Sequence, residues 1–216
     1  MSQIITIGYI VEGSTDVRFL ENIIRRTFED IALLCEREIE IYSVISIKAD
    51  RGNGFVAQIQ EAIKDADKQG IEFVCVHCDA DDRDDVHVQE HKIIPAFEAC
   101  ESFSSEKNIK LLSLIPVYMT EAWMLADTSV FKDEISSRLD DHALGIDRVP
   151  ESYNDPKKII KEAIRISQQG IARRRQKLDI ADLYSPLGQK ISLDSLKRLP
   201  SYQKFFQRID ELLRYD

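Results

Sequence analysis

Hydrophobic and polar positions alternate along the first 127 residues as short apolar runs separated by longer amphipathic stretches. Ile4 to Val11 is apolar and β-branched, which predicts a buried strand. Glu12-Gly13-Ser14 interrupts it, and Ser14 or Thr15 is placed to cap a helix. Val17, Leu20, Ile24, Phe28 and Ile31 follow at steps of three and four, giving one apolar helical face. Ile39 to Ile47 is a second strand candidate, and Arg51-Gly52-Asn53-Gly54 reads as a loop. Phe55, Ile59, Ile63 and Ala66 mark a second helix that Gly70 stops. Ile71 to Cys78 predicts a third strand. A polar, partly helical stretch reaches Phe103, with Pro95 as a kink or boundary, and Lys110 to Tyr118 predicts a fourth strand. Another helix is expected to start over Glu121 to Asp127.

Strands alternating with helices at these lengths imply right-handed βαβ units. The expected fold is therefore α/β: a parallel, four-stranded, Rossmann-like sheet with helices on both faces. Beyond residue 150 the strand pattern stops, and helical patches remain at 156–169 and 201–214. Gly145, Pro150 and Pro156 suggest a connection rather than a long linker. The chain thus divides into an α/β unit over 1–127 and a helical C-terminal region over 128–216 packed on it. In open parallel sheets, ligands bind beyond the carboxyl ends of the strands. Three acidic positions fall at that edge: Glu12 after the first strand, Asp79 and Asp81 after the third, and Glu121 after the fourth.

That coincidence carries the chemistry. Asp79-x-Asp81 puts two hard oxygen ligands where a strand turns into a loop, and such ligands suit Mg²⁺. Glu12 approaches from the neighbouring strand, as a ligand or as a general acid/base with its pKa raised by adjacent negative charge. Carboxylates this close repel one another unless a cation compensates, and a bound metal would also act as a Lewis acid on a phosphoryl oxygen. With Glu121 in reach, a second metal becomes feasible. The competing reading is that residues 79–85 (DADDRDD) form an acidic, solvated surface loop.

Composition adds limits. Hydrophobic residues make up 44% and charged residues 31%, as in an ordinary soluble globular protein. No apolar run approaches the ~20 residues needed to span a bilayer, so no membrane partner is expected. MSQIITIGYIVEG shows no basic n-region or small-residue cleavage site, so no secretory signal is expected. Four cysteines, Cys35, Cys75, Cys78 and Cys100, are too sparse for a disulfide framework, and the default is reduced thiols in the cytoplasm. The net charge of -9 is uneven. Residues 151–216 hold 14 basic and 9 acidic residues, a net of +5, which leaves 1–150 at -14.

Glu12-Gly13-Ser14-Thr15-Asp16 with Asp79-Ala80-Asp81 resembles the TOPRIM signature of topoisomerases, bacterial primases and OLD-family nucleases. The likeness is closer to small TOPRIM-like proteins related to the TOPRIM domain of OLD-family nucleases. Those carry E-G-x-T/S-[DE], D-A-D-D and a segment like P-x-x-E-A-W-x-L-A-D. The corresponding segment here runs from Pro116 through Glu121-Ala122-Trp123-Met124-Leu125-Ala126-Asp127, with Glu121 further from the proline than in that pattern. The likeness extends over most of the chain, and these three motifs are its specific part. It implies a TOPRIM fold and a Mg²⁺ (or Mn²⁺) site drawn from Glu12, Asp79, Asp81 and Glu121. It implies nuclease activity on DNA or RNA, with Glu12, Asp79 and Asp81 catalytic, in a phage-defence or mobile-element setting. The sequence shows no P-loop, so the ATPase of OLD proteins would have to come from a partner protein.

Weaker signals point to nucleic acid. Lys48 and Arg51 flank a glycine loop near the same edge, where charge and backbone N–H groups would hold a phosphate. A plain glycine turn is the alternative. Arg173, Arg174 and Arg175 form the densest part of a basic stretch that would track a phosphate backbone, against a reading as solvated surface. Cys75-x-x-Cys78 is half a zinc knuckle, but a strand sends the two residues to opposite faces, so core cysteines are expected. His87 and His91 are expected at the surface, and Trp123 in packing. The leading function is a Mg²⁺-dependent nuclease, and its rival is a non-catalytic TOPRIM-like module that binds nucleic acid or regulates. A haloacid-type phosphatase wants D-x-D after the first strand. A phospho-receiver wants a second acid where Gly13-Ser14 stands. Both fit poorly.

Overall fold

The computed structural model describes residues 3–50, 52–169 and 178–215. Four parallel strands, β1 (Gln3–Ile10), β2 (Ile39–Ser46), β3 (Phe73–His77) and β4 (Lys110–Leu114), form one sheet in the order β2-β1-β3-β4. Every residue of β3 is buried, as expected of a strand covered on both faces. The α/β expectation therefore holds, including four strands, parallel pairing and a helical C-terminal region.

Helices α1 (Asp16–Ala32) and α2 (Phe55–Gln69) follow β1 and β2. Phe19, Leu20, Ile23, Ile24, Phe28 and Ile31 of α1 are buried on the sheet, a wider stripe than the sequence spacing marks. No hydroxyl caps this helix. Thr15 already has helical angles, and the Asp16 carboxylate instead accepts the Gly13 N–H at 2.9 Å. Gly70 ends α2 in the left-handed conformation, as glycine permits.

Residues 86–106 form α3 (Val86–Val88), a π turn (Gln89–Ile93) and α4 (Ile94–Glu106). Pro95 stands at the boundary where the π turn gives way to α4. It sits in the first turn of α4, where its missing N–H costs little. After β4, the helix expected over Glu121–Asp127 is only the single turn α5 (Glu121–Met124). Asp127 leaves it to cap α6 (Thr128–Glu134), accepting the Val130 N–H. Short helices α7 (Asp141–Leu144), α8 (Pro156–Ser167), α9 (Tyr184–Lys190), α10 (Leu193–Leu196) and the longer α11 (Pro200–Tyr215) complete the chain. No described helix is long and apolar enough to cross a membrane.

The sheet separates two cores. On one face Val74, Val76 and Ile10 pack with Ile59 and Ile63 of α2 and Cys100 of α4. On the other, Ile5, Ile7, Cys75 and Leu112 pack with α1 and with Tyr184, Leu187, Tyr202, Phe205 and Leu213 of the C-terminal region. Cys75 and Cys78 fall in different cores, as the strand period requires, and all four thiols are free. The C-terminal region thus supplies one wall of a core it shares with the sheet. Polar bonds fix its position: Arg26 donates to the Gly188 and Ile191 carbonyls at 2.9 and 2.6 Å, and Thr27 bonds Tyr202 at 2.8 Å. Trp123, wholly buried, donates to Ser201 at 2.7 Å.

Helices α1 and α9 approach closely at Gly188, where an added Cβ would meet the Phe19 carbonyl oxygen at 2.7 Å and its Cα at 3.1 Å. These are backbone atoms that cannot swing aside. Gly188→Ala should therefore lower stability by about 1–3 kcal/mol, outweighing the helix-propensity gain of about 1 kcal/mol. Urea denaturation measures it, and a rise in the midpoint would contradict the close approach.

Candidate functional site

Because β1 and β3 are direct neighbours, their carboxyl ends release the chain side by side. The last residue of β3, His77, is buried and joins the two exits. Its Nδ1 accepts the Glu12 N–H at 3.2 Å, so the hydrogen of the neutral ring sits on Nε2. Nε2 lies 3.2 Å from Asp79 Oδ1 and 3.1 Å from Thr120 Oγ1. The Thr120 N–H also donates to Asp79 Oδ1 at 3.0 Å, which fixes the orientation of that carboxylate. The Asp79 N–H in turn points at Glu12 Oε2, at 3.4 Å. The two acidic motifs therefore meet, and a histidine and a threonine that the sequence reading passed over hold them.

Asp81 is exposed and has a left-handed backbone, φ 53°, a conformation aspartate tolerates better than most residues. Its N–H donates to the Tyr118 carbonyl at 2.9 Å, while Ala80 N–H bonds Pro116 at 3.0 Å. The loops after β3 and β4 thus continue the strand pairing past the sheet. Although the residue is exposed, desolvation of its carboxyl by neighbouring atoms, with Asp79 and then Glu12 adding negative charge, holds Asp81 above its ordinary pKa, and Lys92 opposes this. Asp16, the last residue of the first motif, is buried and also shifted upward by desolvation, with Asp79 and Glu121 contributing.

Glu121 stands near this edge with partners of its own. It is buried, accepts a short hydrogen bond from the Tyr184 hydroxyl, and pairs with Lys157 at 3.0 Å. The hydrogen bond to Glu121 raises the Lys157 pKa, while burial and the same carboxylate push the Tyr184 hydroxyl up. Lys157 and Tyr184 come from α8 and α9, so the C-terminal region reaches the acidic edge. Lys157 belongs to the basic stretch legible in the sequence, but its pairing with Glu121 arises only on packing, and no local signal marks Tyr184.

The rest of the acidic run is structural. Asp82 accepts the Arg83 N–H, Asp84 accepts the Val86 N–H, and buried Asp85 pairs with Lys204 of α11 at 2.6 Å. The surface-loop reading thus applies to residues 82–84, which are exposed, and not to buried Asp85. Exposed Lys48 lines an open groove of about 500 Å³ with Glu12, Gly13 and Ser14. The Gly52 N–H, which the sequence reading offers to a phosphate, is held by Asp50 at 2.9 Å, and the Asp50 N–H by Glu61 at 2.9 Å. Arg51, Arg173, Arg174 and Arg175 lie outside the described residues. His87 and His91 are exposed, with rings stacked at 4.4 Å.

Among the described residues, no group of three His, Cys, Asp or Glu side chains could hold a metal ion. Glu12, Asp79 and Asp81 thus share one edge without closing a three-ligand cage. Mg²⁺ keeps several waters and takes only one or two carboxylates, so the donor chemistry of this open edge fits it. The upward shifts of Asp16 and Asp81 come first from desolvation and then from neighbouring carboxylates, and a cation would relieve the second part.

Such an edge defines a parallel α/β protein with paired acidic loops at the centre of its sheet. The chain belongs to the family described as a domain of unknown function (DUF4276), whose model matches residues 11–210. No curated protein and no solved structure matches it.

Asp81→Asn keeps the tolerance for positive φ and removes one crowded charge. In metal-free protein at low ionic strength it should raise stability by about 0.5 kcal/mol, and salt should shrink the gain by screening. Paired thermal melts at low and high salt check this; a lower melting temperature at low salt would mean that the charges are already compensated.

Proposed function

We propose that the protein is a TOPRIM-type, Mg²⁺-dependent hydrolase of nucleic-acid phosphodiesters. The observation that carries the reading is the meeting of the Glu12 and Asp79 loops at the carboxyl edge of adjacent central strands. The four-stranded parallel sheet and the motif residues Glu12, Asp16, Asp79 and Asp81 support it.

In this reading Asp79 and Asp81, with Glu12 beside them, hold Mg²⁺ or Mn²⁺, which would offset charge on a phosphoryl oxygen and lower the pKa of a bound water. The chain's own residues supply the rest. His77 and Thr120 fix the Asp79 carboxylate, so that its geometry does not have to form during the reaction. Glu12, exposed and one strand away, is positioned to take a proton from an attacking water or to serve as a ligand. Lys157, paired with Glu121, adds a positive charge at the same edge that would favour an approaching phosphate. The basic stretch 173–175 and Lys48 extend the contact with the nucleic-acid backbone, and an ATPase, where the reaction needs one, comes from a partner protein.

Glu12→Gln keeps the shape and removes both the charge and the proton-transfer capacity. Cleavage should fall by about 10²–10⁴-fold, as expected for loss of general acid–base catalysis. The assay uses purified protein, Mg²⁺ or Mn²⁺, and plasmid, linear, single-stranded and RNA substrates. Undiminished cleavage by Glu12→Gln would rule out this mechanism. Full metal binding by Asp79→Asn/Asp81→Asn, read by calorimetry, would rule out the metal assignment.

Reversing Arg173, Arg174 and Arg175 to Glu should weaken nucleic-acid binding and flatten its salt dependence, because fewer counterions are released. Titrations across a salt series measure the slope; an unchanged slope returns this stretch to plain solvated surface.

A further inference from the structure

Cys78 leaves β3 one residue before Asp79, and its side chain enters the core shared with α2 and α4. Lys92, in the π turn, crosses the Phe55 ring at 4.9 Å and brings Nζ to 2.8 Å from Cys78 Sγ. The other hydrogen bonds of sulfur among the described residues are longer, from 3.4 to 3.9 Å. The 2.8 Å separation is too long for a direct nitrogen–sulfur bond and short for an N–H···S contact. It matches two atoms joined through one bridging oxygen. Lys92 also lines a pocket of about 160 Å³ with Glu12, Phe55 and Gln58, wide enough to admit a water-sized oxidant.

We propose that Cys78 and Lys92 form an oxygen-bridged Nζ–O–Sγ crosslink when the protein meets hydrogen peroxide. One peroxide converts the Cys78 thiol to a sulfenic acid and releases one water. Lys92 gives its extra proton to solvent, and its nitrogen lone pair takes an oxygen from a second peroxide, forming a hydroxylamine and a second water. Condensation of the hydroxylamine oxygen with the sulfenic sulfur closes the bridge and releases a third water. In sum, thiol, amine and two peroxides give the bridge and three waters. Nitrogen and sulfur are together oxidised by four electrons, and four thiol equivalents reverse the change. The bridge converts an ammonium at the acidic edge into a weakly basic nitrogen, withdrawing a positive charge from beside Glu12 and Asp81. The crosslink itself does not depend on the hydrolytic reading.

The test treats the full chain with hydrogen peroxide, then denatures, alkylates and digests it with trypsin. The bridge protects Lys92 from cleavage and should join residues 69–83 to residues 84–107, with a gain of about 14 Da, one oxygen added and two hydrogens lost. A thiol reductant added after the peroxide and before alkylation should abolish the linked species, as should Cys78→Ser or Lys92→Arg. The two variants are independent, so one that fails to fold leaves the other decisive. Cys35, partly exposed, is the internal control, because its oxidation reports that peroxide reached the protein. Oxidation of Cys35 without linked peptides would overturn the proposal. So would a linked species lighter by two hydrogens, which is a direct sulfenamide, or linkage that persists in Lys92→Arg.

Discussion

The side-by-side pairing of β1 with β3 is the constraint on which the acidic edge depends. Both strands stop near the same level, and His77, fixed by burial at the end of β3, uses its two ring nitrogens to reach both exits. A strand inserted between them would move Glu12 about 5 Å further from Asp79. The inter-strand bonds of the loops after β3 and β4 carry the same order past the sheet and fix Asp81 in its left-handed turn.

The strand-forming runs and the helical stripe of α1 were legible because each depends on local periodicity that burial then rewards. Glu12, Asp79 and Asp81 were legible for a related reason, since a strand's end in sequence is also its end in space. What the sequence hid depends on long-range packing. Glu121 stands beside the fourth strand's exit as expected, yet its direction is set by Tyr184, 63 residues away. Thr120 and His77 look like ordinary strand-edge residues until Asp79 folds between them. The acidic run divides because Lys204, 119 residues on, claims Asp85 while Asp79 stays at the edge. Helix α5 is shorter than its sequence pattern predicts because Asp127 has a competing use as the cap of α6.

Electrostatic tension concentrates at one end of a well-packed sheet. Burial and mutual repulsion lift the carboxyls of Asp16 and Asp81, while Lys92 and Lys157 approach from opposite flanks as cations supplied by the chain. A site kept in this state gives up some stability to hold charge where a polyanion or a cation would meet it. Among the described residues, no buried side-chain nitrogen or oxygen lacks a hydrogen-bond partner. The tension thus comes from desolvation and from charge repulsion, not from unsatisfied hydrogen bonding.

The bond between Thr27 and Tyr202 spans 175 residues. On the ribosome, α1 emerges long before its covering wall of α9 and α11, so Phe19, Ile23 and Phe28 spend most of synthesis with one side unshielded. Contacts so distant in sequence slow the final docking step and leave the nascent chain open to aggregation during the interval. A chaperone that holds apolar helices would act on this protein early, at α1, and let go only when the last helix arrives.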